Sequence, residues 1–214
     1  FPKSICTSVN HVVCHGIPSE NKILKDGDIV NVDVTVILND WFGDSSRMYV
    51  AGKTNKKNFS LLKTTYECLL IGIKMAKPGN HLGDIGYSIQ KYAEEKNYSV
   101  VRDFCGHGIG KEFHTAPSVL HFGNAGEGPE LLPGMFFTIE PMINIGDWKI
   151  KVLQDGCNSI GVEAIPCYHW SKGGEGTTDL AKKVIELTNE NNSFKFLYEE
   201  KISLFNKIKT IAKE

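Results

Sequence analysis

The 214-residue sequence has no apolar run near the roughly 20 residues of a membrane span, and no basic-then-apolar leader. A membrane partner is therefore not expected. It also lacks a charge excess: 24 basic against 25 acidic residues leave a net charge of −1. That balance supplies no electrostatic pull toward nucleic acid or an anionic lipid surface. It has no CxxC pair. Its six cysteines, Cys6, Cys14, Cys68, Cys105, Cys157 and Cys167, are widely spaced. Such spacing reads as reduced, cytoplasmic-type thiols, not as a disulfide framework or a four-cysteine zinc site. There is no initial methionine and no internal repeat. With Phe1 in first place the expectation is a fragment or a processed product, and an organellar leader before it stays open.

What is present suffices for one sizeable core, or one core with an appendage, at 41% apolar residues. Ser8–Cys14 is β-branched and runs into His15, Gly16 and Pro18, a strand entering a tight turn. Ile29–Leu38 alternates: Val30, Val32, Val34 and Val36 on one face, expected to be core, with Asn31, Asp33 and Thr35 on the other. Asn39-Asp40 makes a turn, and Trp41–Val50 returns as the second arm of a hairpin. That turn sets Asp44 opposite or diagonal to Asp33, within about 8 Å. Residues 53–58 read as a solvated loop. From Ser60 the period becomes helical through Leu61, Leu62, Tyr66, Leu69, Leu70 and Ile73, stopping at Pro78-Gly79. A second helix is expected from Leu82 to Lys96. Val100-Val101 suggests a strand leading into Cys105-Gly-His-Gly-Ile-Gly110. Residues 123–134 read as a surface loop, Met135–Glu140 as a buried strand, and Trp148–Leu153 as another. Beyond Gly156 the character changes: a short strand at Val162–Cys167, a glycine loop at Lys172–Gly176, and helices at Thr177–Leu187 and around Leu204, Ile208 and Ile211.

Asp33, Asp44, His107 and Glu140 fall at strand or turn positions and form an oxygen-rich set with one imidazole. That mixture suits Mn, Fe, Co or Zn in a reactive site better than purely structural zinc. Two carboxylates on one strand face can bridge a pair of metals and so activate water for hydrolysis. Each residue also has a plainer reading. A hairpin aspartate is usually solvated, a strand-end glutamate usually faces water, and His15 or His114 alone is more often an ordinary surface or core histidine. The glycines flanking His107 allow a ligand to approach its backbone closely.

Residues 1–156 resemble type I methionine aminopeptidase. The resemblance is carried by Ser8-Val-Asn-His-Val-Val-Cys-His-Gly-Ile-Pro18, Gly27-Asp-Ile-Val-Asn-Val-Asp33, Gly43-Asp-Ser-Ser46, Cys105-Gly-His-Gly-Ile-Gly110, Phe113-His114 and Thr138-Ile-Glu-Pro141. It implies an α+β, pita-bread (aminopeptidase/creatinase-like) fold and a cofactor of two divalent metal ions, Co, Mn, Fe or Zn. It implies Asp33, Asp44, His107 and Glu140 as metal ligands, with Glu140 also shuttling a proton. His15 and His114 match substrate-contacting histidines, His114 stabilising the tetrahedral intermediate. Cys6 and Phe113 match positions lining the methionine pocket. The substrate implied is the N-terminal peptide of nascent proteins, cleaved after the first methionine when the next residue is small. The expected protein is a cytoplasmic monomer.

The pattern departs from that family after Gly156. Cys157 stands where a pocket tryptophan belongs, and Ser171 where constant spacing places a second ligand glutamate; Glu163 and Glu175 lie outside the motif. Residues 157–214 instead resemble a C-terminal part of formate–tetrahydrofolate ligase, through Ile160-Gly-Val-Glu-Ala-Ile-Pro-Cys-Tyr-His-Trp-Ser-Lys-Gly-Gly-Glu-Gly176, Asp179-Leu-Ala181, Phe196-Leu-Tyr198 and Lys207-Ile-Lys-Thr-Ile-Ala212. That resemblance suggests Trp170 as a folate-stacking residue, but the ligase's nucleotide loop is missing and no ligase activity is expected. The reading is thus a chimera: an aminopeptidase-like domain at 1–156, incomplete, and a small α/β appendage at 157–214. Expected with it are an open sheet edge where the last strand is lost, weaker metal binding, and impaired hydrolysis. The alternatives are a non-catalytic peptide-binding module and a chimera carrying a non-functional ligase fragment.

Overall fold

A computed structural model describes residues 1–153, together with the backbone of 159–161, 164–165 and 170–172. Contacts divide the chain into Phe1–Ser171 and Lys172–Glu214. The glycine loop and the two C-terminal helices read from sequence, and Cys157, Glu163 and Glu175, lie outside the described residues.

Among the described residues, the first unit mixes two helices with short strands in three sheets, as an α+β chain should. Two strands, β1 (Cys6–Val9) and β2 (Val12–Cys14), replace the single strand expected at Ser8–Cys14. Asn10 breaks them with a positive φ of 54°. Its amide side chain then ties the break to the hairpin: Nδ2 donates to Asp28 Oδ1 at 2.8 Å, and Oδ1 accepts from Ile29 N at 3.1 Å. This clamp fixes the antiparallel register of β1 on β3 (Ile29–Leu38), in which Val9 faces Val30 and Cys6 faces Asp33.

β3 pairs along its whole length with β4 (Trp41–Val50) across the Asn39-Asp40 turn, both turn residues having positive φ. Asp33 faces Ser46 and Thr35 faces Asp44, so the two aspartates are diagonal neighbours on one face. The valine face is core only where β3 begins: Val30 is buried, while Val36 is 39% exposed. The opposite face, where Ile29, Asn31, Met48, Asp44 and Ser46 are buried, likewise opens to solvent at its far end, with Ile37 61% exposed. Ile29 and Met48 join the helix-packed core. One face therefore serves two ends: apolar at Ile29, where helices cover it, and carboxylate-bearing at Asp33 and Asp44.

Helix α1 (Lys56–Met75) begins inside the stretch read as a loop, because Asn55 caps it by accepting from Asn58 N at 2.8 Å. Helix α2 (Leu82–Glu95) starts on a capping box, with His81 N donating to Asp84 Oδ2 at 2.7 Å. Leu61, Cys68, Ile85, Ile89 and Ala93 seal the two helices against Ile139 and the sheet. Each such aliphatic side chain, removed from water, contributes on the order of 1.5–3 kcal/mol.

The remaining strands are β5 (Ser99–Val100), β6 (Gly106–Gly108), β7 (Thr115–Val119), β8 (Phe137–Ile139), β9 (Ile143–Asn144), β10 (Ile150–Val152), β11 (Ser159–Gly161), β12 (Ala164–Ile165) and β13 (Trp170–Lys172). The large sheet runs β1-β3-β4-β13-β8-β6-β7, with β10-β11-β2 and β12-β9-β5 as smaller sheets. Strand β13 corrects the expected open edge: Trp170 pairs antiparallel with Ser45, so the flank of β4 is occupied.

Candidate active site

The carboxylate-bearing face of β3 and β4 meets β6 and the end of β8 at one place. His107 is the middle residue of β6, between Gly106 and Gly108. The glycines act differently from the expectation. A Cβ on Gly106 would lie 2.4 Å from Thr138 O, and one on Gly108 would lie 2.2 Å from Ala116 O. Their bareness lets β6 nest against its neighbouring strands β8 and β7 and so carries His107 to the carboxylates.

His107 Nε2 stands 3.6 Å from Glu140 Oε1 and 3.8 Å from Asp44 Oδ2, and all three side chains are at most 14% exposed. Nearly buried carboxylates with a single imidazole leave excess negative charge in a poorly hydrated place, an arrangement a cation relieves. The separations exceed a hydrogen bond and lie slightly above the ~3.0–3.4 Å between two donors sharing one ion at about 2.1 Å. As placed, no three His, Cys, Asp or Glu side chains among the described residues form a ready metal cage. The donor set, three carboxylates counting Asp33 and one imidazole, nevertheless fits a divalent ion of the Mn, Fe, Co or Zn type. Asp33 enters through register, with Cys6 on one side and Ser46 on the other.

Threonines that the sequence reading did not single out organise this group. Thr35 Oγ1 donates to Asp44 Oδ1 at 2.8 Å. Thr138 Oγ1 donates to Glu140 Oε1 at 2.6 Å and accepts from His107 N at 2.9 Å. Buried His121 accepts from Glu140 N through Nε2 at 2.9 Å. Thr138 was discoverable: two residues before Glu140 on a strand, it shares that residue's face. His121 lies on a distant stretch of chain and carried no local signal.

His114 and Phe113 lie beside His107, with ring centroids 4.3 Å and 5.7 Å from it. Phe42 extends the cluster by stacking on Phe113 at 5.5 Å. Desolvation first, and repulsion from His107 second, hold the His114 imidazole below its ordinary value of 6.5, against an opposing pull from Asp44. His15 is placed by another contact, edge-on to Phe104 at 5.3 Å. Its φ of 56° is a left-handed conformation, which histidine adopts more often than most residues other than glycine. Gly16 beside it backs onto β1, where a Cβ would come within 2.2 Å of Thr7 O.

Comparison with known proteins adds an independent line. The model of metallopeptidase family M24 matches residues 1–167. That of formate–tetrahydrofolate ligase matches residues 139–214, overlapping the first. Methionine aminopeptidase of Rickettsia prowazekii is 61% identical over 148 residues, 69% of this chain and 57% of that protein. Methionine aminopeptidase A of Synechocystis is 55% identical over 160 residues, 75% of this chain and 63% of that protein. The chain thus spans less than two thirds of the length of these curated relatives. The crystal structure of the Rickettsia prowazekii methionine aminopeptidase superposes with a TM-score of 0.79 at 52% identity, covering 81% of this chain and 71% of that one. A prolidase from Pyrococcus horikoshii, 22% identical, shares the fold with a TM-score of 0.61 over 80% of this chain and 44% of its own.

Proposed function

Because this chain belongs to metallopeptidase family M24 and has its pita-bread fold, we propose that it is a metal-dependent aminopeptidase acting on the N-terminal methionine of newly made proteins. One observation carries the reading: His107 Nε2 within 3.6–3.8 Å of two nearly buried carboxylates, Asp44 and Glu140. Asp33, Asp44, His107 and Glu140 are the residues that would hold two divalent ions. When bound, such ions polarise the scissile carbonyl and make water a competent nucleophile at neutral pH. The Glu140 carboxylate, held at Oε1 by the Thr138 hydroxyl, is the group to take a proton from water and pass it to the departing amine. His114, largely neutral at pH 7, offers an N–H to the developing oxyanion. Cys6 and Phe113 border the methionine side chain, and His15 contacts the substrate. Among the described residues no helix is long and apolar enough to cross a membrane. We place the protein in the cytoplasm as a monomer.

A second reading has its own support. Ser171 occupies the strand beside β4 where an acidic ligand is expected, and a site short of one carboxylate retains cations less well. The fold then serves as a non-catalytic peptide-binding module, with residues 157–214 a ligase-like passenger that carries the folate-stacking candidate Trp170. Hydrolysis of a Met-Ala-Ser peptide by the full chain with added Mn²⁺ or Co²⁺ decides. Slow but metal-dependent release of methionine, abolished by Asp44→Ala, is expected. No turnover at any metal concentration, with peptide still bound, assigns the binding module instead.

A further inference from the structure

We infer that the hydroxyls of Thr35 and Thr138 are positioning groups that aim Asp44 and Glu140 at the ion shared with His107. The inference rests on the metal reading above and concerns residues to which no role has been given.

The directionality of the hydrogen bonds carries the argument. A threonine hydroxyl has one proton to give. At Thr138 the oxygen accepts from His107 N at 2.9 Å, so a lone pair is committed to β6. Its proton has two acceptors within reach, Glu140 Oε1 at 2.6 Å and His107 O at 3.4 Å. The shorter, charge-assisted bond to the carboxylate is the stronger. Thr138 is fully buried, so water does not compete for that proton. The hydroxyl therefore links the backbone of one proposed ligand to the carboxylate of another, across two paired strands. Gly106 is what admits it, since a Cβ there would also crowd Thr138 Oγ1 at 3.0 Å.

Thr35 repeats the device on the other side. Facing Asp44 in the hairpin register, it donates to Oδ1 at 2.8 Å, while Oδ2 is the oxygen 3.8 Å from His107 Nε2. Each carboxylate thus has a hydroxyl donor that restrains its rotation. Outer partners of this kind tune metal affinity by roughly 10–100-fold.

Titration of the full chain with Mn²⁺ alone, followed by calorimetry, tests the inference without reference to turnover. Thr138→Val keeps shape and removes the hydroxyl; Thr138→Ser restores it. The expected result is a fall in Mn²⁺ affinity of about tenfold or more for Thr138→Val, with Thr138→Ser close to the parent. Thr35→Val, at a half-buried site with a single such bond, is expected to weaken binding in the same direction, and decides the matter if Thr138→Val does not fold. Parent-like Mn²⁺ affinity in folded Thr138→Val, or equal losses in Thr138→Val and Thr138→Ser, overturns the inference while leaving the metal reading intact. Absence of Mn²⁺ binding by the parent chain itself overturns both.

Discussion

The clamp at Asn10 and Asp28 shows how a single residue far from the chemistry can set its geometry. Asp28 accepts from the Asn10 side chain and from Lys25 N, and these bonds, with Asn10 first, hold its carboxyl below the ordinary 3.8. A lowered carboxylate stabilises the fold above its unfolded value, and the contribution is lost as pH falls through the folded one. Asp28→Asn is therefore expected to lower the melting temperature at pH 6–7. The gap to the parent should shrink below the ordinary 3.8. Thermal melts across pH 2.5–7 check this, and a gap constant over the whole range contradicts it. Because the clamp fixes β1 against β3, the same substitution also loosens Cys6 opposite Asp33. Cys68, by contrast, is inert: burial pushes its thiol up to about 12.

At the level of elements, the short strand β6 is held by absence of side chain. Gly106→Ala sets a methyl 2.4 Å from the Thr138 carbonyl oxygen, a backbone atom that cannot rotate away. Overpacking of this kind costs about 1–3 kcal/mol, or a fall in melting temperature of roughly 2–4 °C per kcal/mol for a chain of this size. Loss of metal affinity is expected with it, since His107 and Thr138 move together. A melt and an Mn²⁺ titration indistinguishable from the parent would count against this account of the strand. The hairpin makes a complementary point. The alternation of β3 was legible, but which face the helices cover was not. Four valines outweigh two isoleucines in sequence, yet the helices pack on the face that holds Ile29 and Met48.

On the scale of the whole molecule, β13 is the consequential element. Trp170 faces Ser45, which lies on the valine face opposite Val34. The next residue, Ser171, is the middle position of that strand. The strand has its place in the sheet, and what it lacks there is a carboxylate. Ser171→Glu is accordingly expected to raise the affinity for Mn²⁺ at least about tenfold and to speed peptide hydrolysis. Calorimetric titration measures this directly. An unchanged titration would mean that position 171 does not face the ions.

By itself the sequence determined the hairpin and both central helices, and it proposed the set Asp33, Asp44, His107 and Glu140. Periodicity, turn residues and motif order are local properties, written in consecutive residues. It also marked the change of character after Gly156. The tertiary structure alone decided which hairpin face the helices cover, that Asp44 and Glu140 meet at His107, and that Thr35, Thr138 and His121 hold them. It also decided that a strand from beyond residue 156 flanks β4. Each of these depends on which strands lie side by side. Pairing joins residues as far apart as Ser45 and Trp170, and no local pattern records that adjacency.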